Sequence, residues 1–98
     1  MDVELVVVEG RPLGAVVHVK VSPFIIGRDP GCQLRPKSPT TSGRHSVIYL
    51  REDQVVVEDL GSTNGTWVNG RRVERAPLMA GDKIKVGRIE FAVRSEHA

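Results

Sequence analysis

Two Asn-Gly dipeptides, Asn64-Gly65 and Asn69-Gly70, stand five residues apart with the β-formers Thr66-Trp67-Val68 between them. Asn and Gly both accept positive φ at little cost, so Asn-Gly next to an apolar run is a strong local signal for a tight turn. The stretch from Asp59 to Gly70 therefore predicts a loop, a very short strand and a hairpin turn. A loop so rich in Gly, Ser, Thr and Asn holds polar groups in fixed directions.

The rest of the chain follows the same short-strand pattern. In Val16–Val21, Val17, Val19 and Val21 share one face, and Val16, His18 and Lys20 share the other. A period of two is the mark of a half-buried strand. Further strands are predicted at Leu5–Val8, Phe24–Ile26, His45–Leu50, Val55–Val57, Arg71–Val73 and Ala76–Leu78. Pro77 places the last of these at a sheet edge, since proline has no N–H for a second neighbour. Lys83–Val86 and Ile89–Val93 alternate on either side of Gly87-Arg88 and predict a closing hairpin. Glu9–Pro12 is the expected link between the first two strands. Residues 29–44, broken by Pro30, Pro36 and Pro39, form the longest irregular segment, with only Gln33–Arg35 as a scrap of strand. Loops of that length in a small domain tend to carry function. No segment shows an i, i+3, i+4, i+7 apolar pattern. About ten short strands with frequent turn signals predict an all-β sandwich. The 98 residues make one domain, with its core over about 4–93 and a frayed tail over 94–98.

Composition narrows the functions. A net charge of +2 is weak as an argument for nucleic acid, and 4% aromatic residues offer few platforms for stacked bases. The single cysteine, Cys32, cannot form an internal disulfide or a Cys-rich zinc site. The three histidines are scattered, so no metal is expected. An acidic start, Met-Asp-Val-Glu, and the lack of a long apolar run lead to the expectation of a soluble, cytoplasmic domain that touches no membrane.

Three loops carry unusual polar content: Gly27-Arg28, Ser42–His45 and Gly61–Asn64. Alternate loops of a sandwich meet at one end. A guanidinium, a hydroxyl, an amide and glycine-freed backbone N–H groups brought together there make a site for a phosphate. Two catalytic readings fail. Gly65–Gly70 has the glycine spacing of a P-loop, but Arg71-Arg72 stands where Lys-Ser/Thr is needed, and no helix follows. Ser42 and His45 lack a nucleophile elbow, and His45 at a strand start points into the core.

Gly27-Arg28, Ser42-x-x-His45, the run Asp59-Leu-Gly-Ser-Thr-Asn-Gly-Thr-x-Val-Asn-Gly70 and Leu78-x-x-Gly81-Asp82-x-Ile84-x-x-Gly87 stand in one order. Together they resemble the forkhead-associated (FHA) domain over residues 4 to 93. The resemblance implies two twisted, mainly antiparallel sheets of about 10–11 strands, with ligand loops at one end. It implies a non-enzymatic module that needs no cofactor and binds a phosphothreonine peptide, in Ser/Thr kinase signalling. Arg28 and Ser42 would hold the phosphate, and Thr63 and Asn64 would meet the peptide. His45 would brace the loops, Gly27, Gly61 and Gly65 would shape them, and Asn69, in a structural turn, would also support the site. The family often has Arg, Lys or Asn after the serine. Here that residue is Gly43, which leaves its backbone N–H or the side chain of Arg44 to take over, with Lys37 a further cation nearby. Two alternatives stay open: a scaffold that binds protein partners independently of phosphate, and a nucleic-acid binder that uses the basic loops.

Overall fold

Alternation along the valine-rich runs sets the architecture. In a computed structural model, which describes residues 2–96, Val3, Leu5 and Val7 of the first strand are buried, while Glu4 and Val6 are only half-buried. The strands are β1 (Asp2–Glu9), β2 (Val16–Val19), β3 (Phe24–Ile26), β4 (Ser46–Leu50) and β5 (Val55–Asp59), then β6 (Thr66–Val68), β7 (Arg71–Val73), β8 (Arg75–Leu78), β9 (Lys83–Val86) and β10 (Ile89–Glu96). One sheet has the order β2-β1-β10-β9-β6-β7 and the other β3-β4-β5-β8. All paired neighbours run antiparallel, and a single parallel bridge joins Ile26 to Leu34. Pro77 lies on β8, the edge strand of its sheet, as its missing donor requires.

The core lies between the sheets. Leu5, Ile84 and Phe91 of the larger sheet pack with Ile26, Ile48 and Val57 of the smaller, all nearly free of solvent. Each such side chain contributes about 1.5–3 kcal/mol of hydrophobic stabilisation. No helix among the described residues is long and apolar enough to cross a membrane.

The register places the ends of several strands together. Ile26 pairs with Ser46, and Ser46 with Asp59, so the loops after β3, before β4 and after β5 leave the smaller sheet side by side. Across the sandwich, Thr66 pairs with Val86 and Val73, which brings the start of β6 and the β9–β10 turn to that same end.

Two details differ from the sequence expectation. β2 stops at Val19, and Val21 is 51% exposed rather than on the buried face. β2 is an edge strand, and the Ser22-Pro23 pair that follows cannot continue a ladder. The chain also does not fray at residue 94: β10 continues through Ser95 and Glu96, opposite Val3 and Asp2 of a β1 that begins earlier than expected. The expected fraying of residues 97 and 98 lies outside the described residues.

Candidate functional site

Gly27 follows β3 and lets two segments of backbone touch. A Cβ at this position would lie 2.2 Å from the carbonyl oxygen of Gly43, so no other residue fits without parting the loops. The contact is held by hydrogen bonds from Arg28 N–H to Ser42 O at 3.1 Å and from Asp29 N–H to Gly43 O at 3.0 Å. Arg28 is exposed, and its Nε donates to the Thr41 carbonyl. This single bond anchors the guanidinium and leaves the two Nη groups without a partner among the described residues. Arg35 adds a clamp from behind, its Nε and Nη2 donating to the Arg28 carbonyl at 3.2 and 3.1 Å.

His45 joins two of the loops from below. Its ring is fully buried. Nδ1 accepts from Ser42 N–H at 3.0 Å, which puts the ring proton on Nε2, and Nε2 donates to Gly65 O at 2.7 Å. The bracing role expected for His45 thus has a definite tautomer. Ser42 Oγ in turn accepts from Thr63 N–H at 3.2 Å and keeps its own proton to donate. Asn64 Nδ2 donates to the Thr40 carbonyl at 2.8 Å, which ties the Gly61–Asn64 loop to the loop before β4 and leaves Oδ1 open.

The sequence reading gave Asp59 no role, yet the loop hangs from it. Its Oδ2 accepts from Gly61 N–H and Ser62 N–H at 3.0 and 3.1 Å, and its Oδ1 accepts from the hydroxyls of Ser62 and Thr66. Because Thr66 gives its proton to Asp59, Ser46 donates to Thr66 at 2.6 Å. Burial alone pushes the Asp59 carboxyl up, but the hydroxyls of Ser62 and Thr66 and the two backbone N–H groups together hold its pKa below the ordinary value of 3.8. The Asp59–Thr66 bond also links the smaller sheet to the larger one at the mouth of the site.

Arg28, Ser42, Gly43, Thr63 and Asn64 are therefore brought together. Arg44 and Thr63 are exposed and have no side-chain partner among the described residues. Gly61 and Gly65 both adopt positive φ, 78° and 85°. Asn69 lies elsewhere. With φ of 50° at Asn69 and 79° at Gly70, it forms the two-residue turn expected between β6 and β7. Its side chain bonds Asp82 and Lys83, so it braces the opposite end of β6 and does not support the loop site.

Two neighbours went unnoticed in the sequence. Arg72 lies over Gly65, where a Cβ would come within 2.6 Å of its Nε. The two-residue turn was the available signal, since it sets Arg72 opposite Trp67. Asp29 places its carboxylate against Gly43, 2.7 Å from where a Cβ would be. No local pattern signals that contact. No group of three or more His, Cys, Asp or Glu side chains among the described residues could hold a metal ion.

Comparison with known proteins locates this arrangement. The FHA domain family model matches residues 24–87, which include all three loops. The FHA domain-containing protein FhaB of Mycobacterium tuberculosis is 34% identical over 93 residues, covering 92% of this chain and 59% of that protein. The glycogen accumulation regulator GarA of the same organism is 35% identical over 97 residues, covering 86% of this chain and 60% of that protein. The chain thus spans about three fifths of the length of these curated relatives. A structure from a structural and functional analysis of phosphothreonine-dependent FHA domain interactions superposes with a TM-score of 0.91 at 33% identity, covering 100% of both chains. The FhaA FHA domain, solved in complex with the intracellular domain of Rv3910, gives a TM-score of 0.85 at 35% identity, covering 94% of this chain and 99% of that one. The chain belongs to the FHA domain family.

Proposed function

We propose that this chain is a phosphothreonine-peptide-binding module for protein–protein interaction in Ser/Thr kinase signalling. One observation carries the reading: where three loops meet, the Arg28 Nη groups, the Ser42 hydroxyl proton, the Gly43 N–H and the Thr63 hydroxyl have no acceptor among the described residues. Fixed, unspent donors around an arginine suit a group with three acceptor oxygens and a charge of about −1.5 to −2. Arg28 and Ser42 take the phosphate, with Gly43 N–H and the Arg44 side chain beside them. Thr63 lies against the phosphorylated residue, and the open Oδ1 of Asn64 accepts from the peptide backbone. His45 acts on the ligand only through Ser42, and Gly27, Gly61 and Gly65 through loop shape.

Each charge-assisted hydrogen bond adds about 1.5–3 kcal/mol, and three or four of them, less the ordering of the peptide, give a dissociation constant on the order of micromolar. The module performs no catalysis. It works in the cytoplasm, where a kinase would supply the phosphorylated partner.

The test is calorimetric titration of phosphothreonine, phosphoserine and unphosphorylated versions of a degenerate peptide. Wild type should bind the phosphothreonine form alone. Arg28→Ala should weaken that binding about 100-fold or more, the equivalent of about 3 kcal/mol. Unchanged affinity in Arg28→Ala would remove the site. A second reading, a scaffold that binds proteins independently of phosphate, is favoured by the Asp29 carboxylate beside Gly43, a negative charge next to the expected phosphate. Under that reading, phosphatase treatment of a partner leaves its binding intact.

A further inference from the structure

Beside the loop site the sandwich opens into a groove. It lies between the β1–β2 hairpin, the β9–β10 turn and the loop over residues 34–38. Val17 and Ile89 contribute to its apolar lining, and Arg11, Arg35, Lys37 and Arg88 are the charged residues along it. None of these four cations belongs to an ion pair among the described residues, and no Asp or Glu lines the groove. In a chain with 14 basic and 12 acidic residues, an even surface would mix the signs. Here it does not.

The groove is continuous with the loop site. Arg35 and Lys37 also line a second concavity that contains Arg28. Arg88 N–H donates to Thr40 Oγ1 at 3.0 Å, and Gly87 packs so closely on Thr40 that a Cβ would meet its Oγ1 at 2.7 Å. The wall of the groove is thus fastened to the same segment whose carbonyls hold Arg28 and Asn64.

We propose that this groove receives a second stretch of the phosphorylated partner, one that carries a large apolar side chain flanked by Asp or Glu. The proposal rests on the phosphothreonine reading above. The apolar lining buries the side chain. The four cations select the flanking charge: they attract carboxylates within about 8–10 Å at ordinary salt and repel a Lys- or Arg-rich segment. Single exposed ion pairs contribute little, so the preference comes from several cations acting on one linked segment. Linkage makes the second contact intramolecular, at an effective concentration on the order of millimolar.

The experiment compares phosphothreonine peptides with one common core. Each carries an Asp-Leu-Asp, a Lys-Leu-Lys or a Gly-Ser-Gly segment at a series of spacings on either side. They are titrated against wild type and against the Arg11→Glu/Arg88→Glu variant. The acidic-apolar segment should tighten binding to wild type about tenfold over Gly-Ser-Gly at its best spacing. That gain should vanish in the variant while the affinity for the core peptide stays the same. If the core binds but no segment changes affinity more than about twofold, the groove proposal falls and the phosphothreonine reading stands. An equal gain from Lys-Leu-Lys overturns the charge argument, and the proposal with it. If the core itself does not bind, the phosphothreonine reading and the linked ligand fall together. Amide shifts at Val17 and Ile89 on adding free acidic-apolar peptide would then retain the groove as a peptide site, and their absence would remove it as well.

Discussion

Replacing His45 with alanine should destabilise this domain by about 4–8 kcal/mol. The ring is fully buried and spans two loops, accepting from Ser42 N–H at 3.0 Å and donating to Gly65 O at 2.7 Å. Removal strands the partly buried Ser42 N–H and the buried Gly65 carbonyl, at about 1–3 kcal/mol each. The empty space adds about 2 kcal/mol, since a packed core relaxes only in part. A domain of this size holds about 5–15 kcal/mol in total, and each kcal/mol moves Tm by about 4–8 °C. The fall in Tm should therefore be about 20 °C or more, and His45→Ala should be partly unfolded at 37 °C. Urea and thermal unfolding measure this directly. His45→Phe separates the two terms, because it fills the space while stranding both polar groups. It should still cost about 2–6 kcal/mol. If His45→Phe unfolds within about 0.5 kcal/mol of wild type, the two hydrogen bonds carry nothing and the reasoning is refuted.

Three further outcomes follow from the same geometry. Gly27→Ala sets a Cβ 2.2 Å from the Gly43 carbonyl, a backbone neighbour that cannot swing aside; about 3 kcal/mol of stability should be lost, and phosphopeptide binding should fall with it even where the variant is folded, as titration below its Tm would show. Gly43→Arg meets only the end of the exposed Asp29 side chain, which can rotate away; its Tm should change by under about 4 °C, and a phosphothreonine peptide should bind about 5- to 10-fold tighter through one added charge-assisted bond, whereas unchanged or weaker binding would show that this position does not face the phosphate. Asp59 has a folded pKa below its ordinary 3.8, so its contribution is fully present above that value and is lost as pH falls through the folded pKa; Asp59→Asn should cost about 2–4 kcal/mol at pH 7, and denaturation across pH should show the gap from wild type narrowing as the pH falls below 3.8, a constant gap speaking against the carboxylate as the source.

Local chemistry was enough to read several elements. The β6–β7 turn needs positive φ at both central residues, and Asn69-Gly70 supplies it without any help from the rest of the chain. The half-buried face of Val17 and Val19, the edge position of Pro77 and the closing hairpin through Gly87-Arg88 likewise follow from period and turn residues within a few positions. Polar residues cluster on three loops that a sandwich brings to one end, and the resemblance to the FHA domain then singles out Arg28, Ser42, Thr63 and Asn64 among them.

The sequence by itself determined where strands and turns form, which faces are apolar, and which loops hold the polar groups. Each of these depends on the conformational energy of a few consecutive residues. Only the tertiary structure decided what those groups touch. The His45 ring proton finds its acceptor in Gly65 O, twenty residues away, and the loop that carries Asn64 is tied to Thr40 across twenty-four. The Asp29 carboxylate against Gly43, and the four cations beside the apolar groove, come from segments that no short-range pattern relates. Strand register and sheet order bring such residues together, and these are set by how the whole core packs.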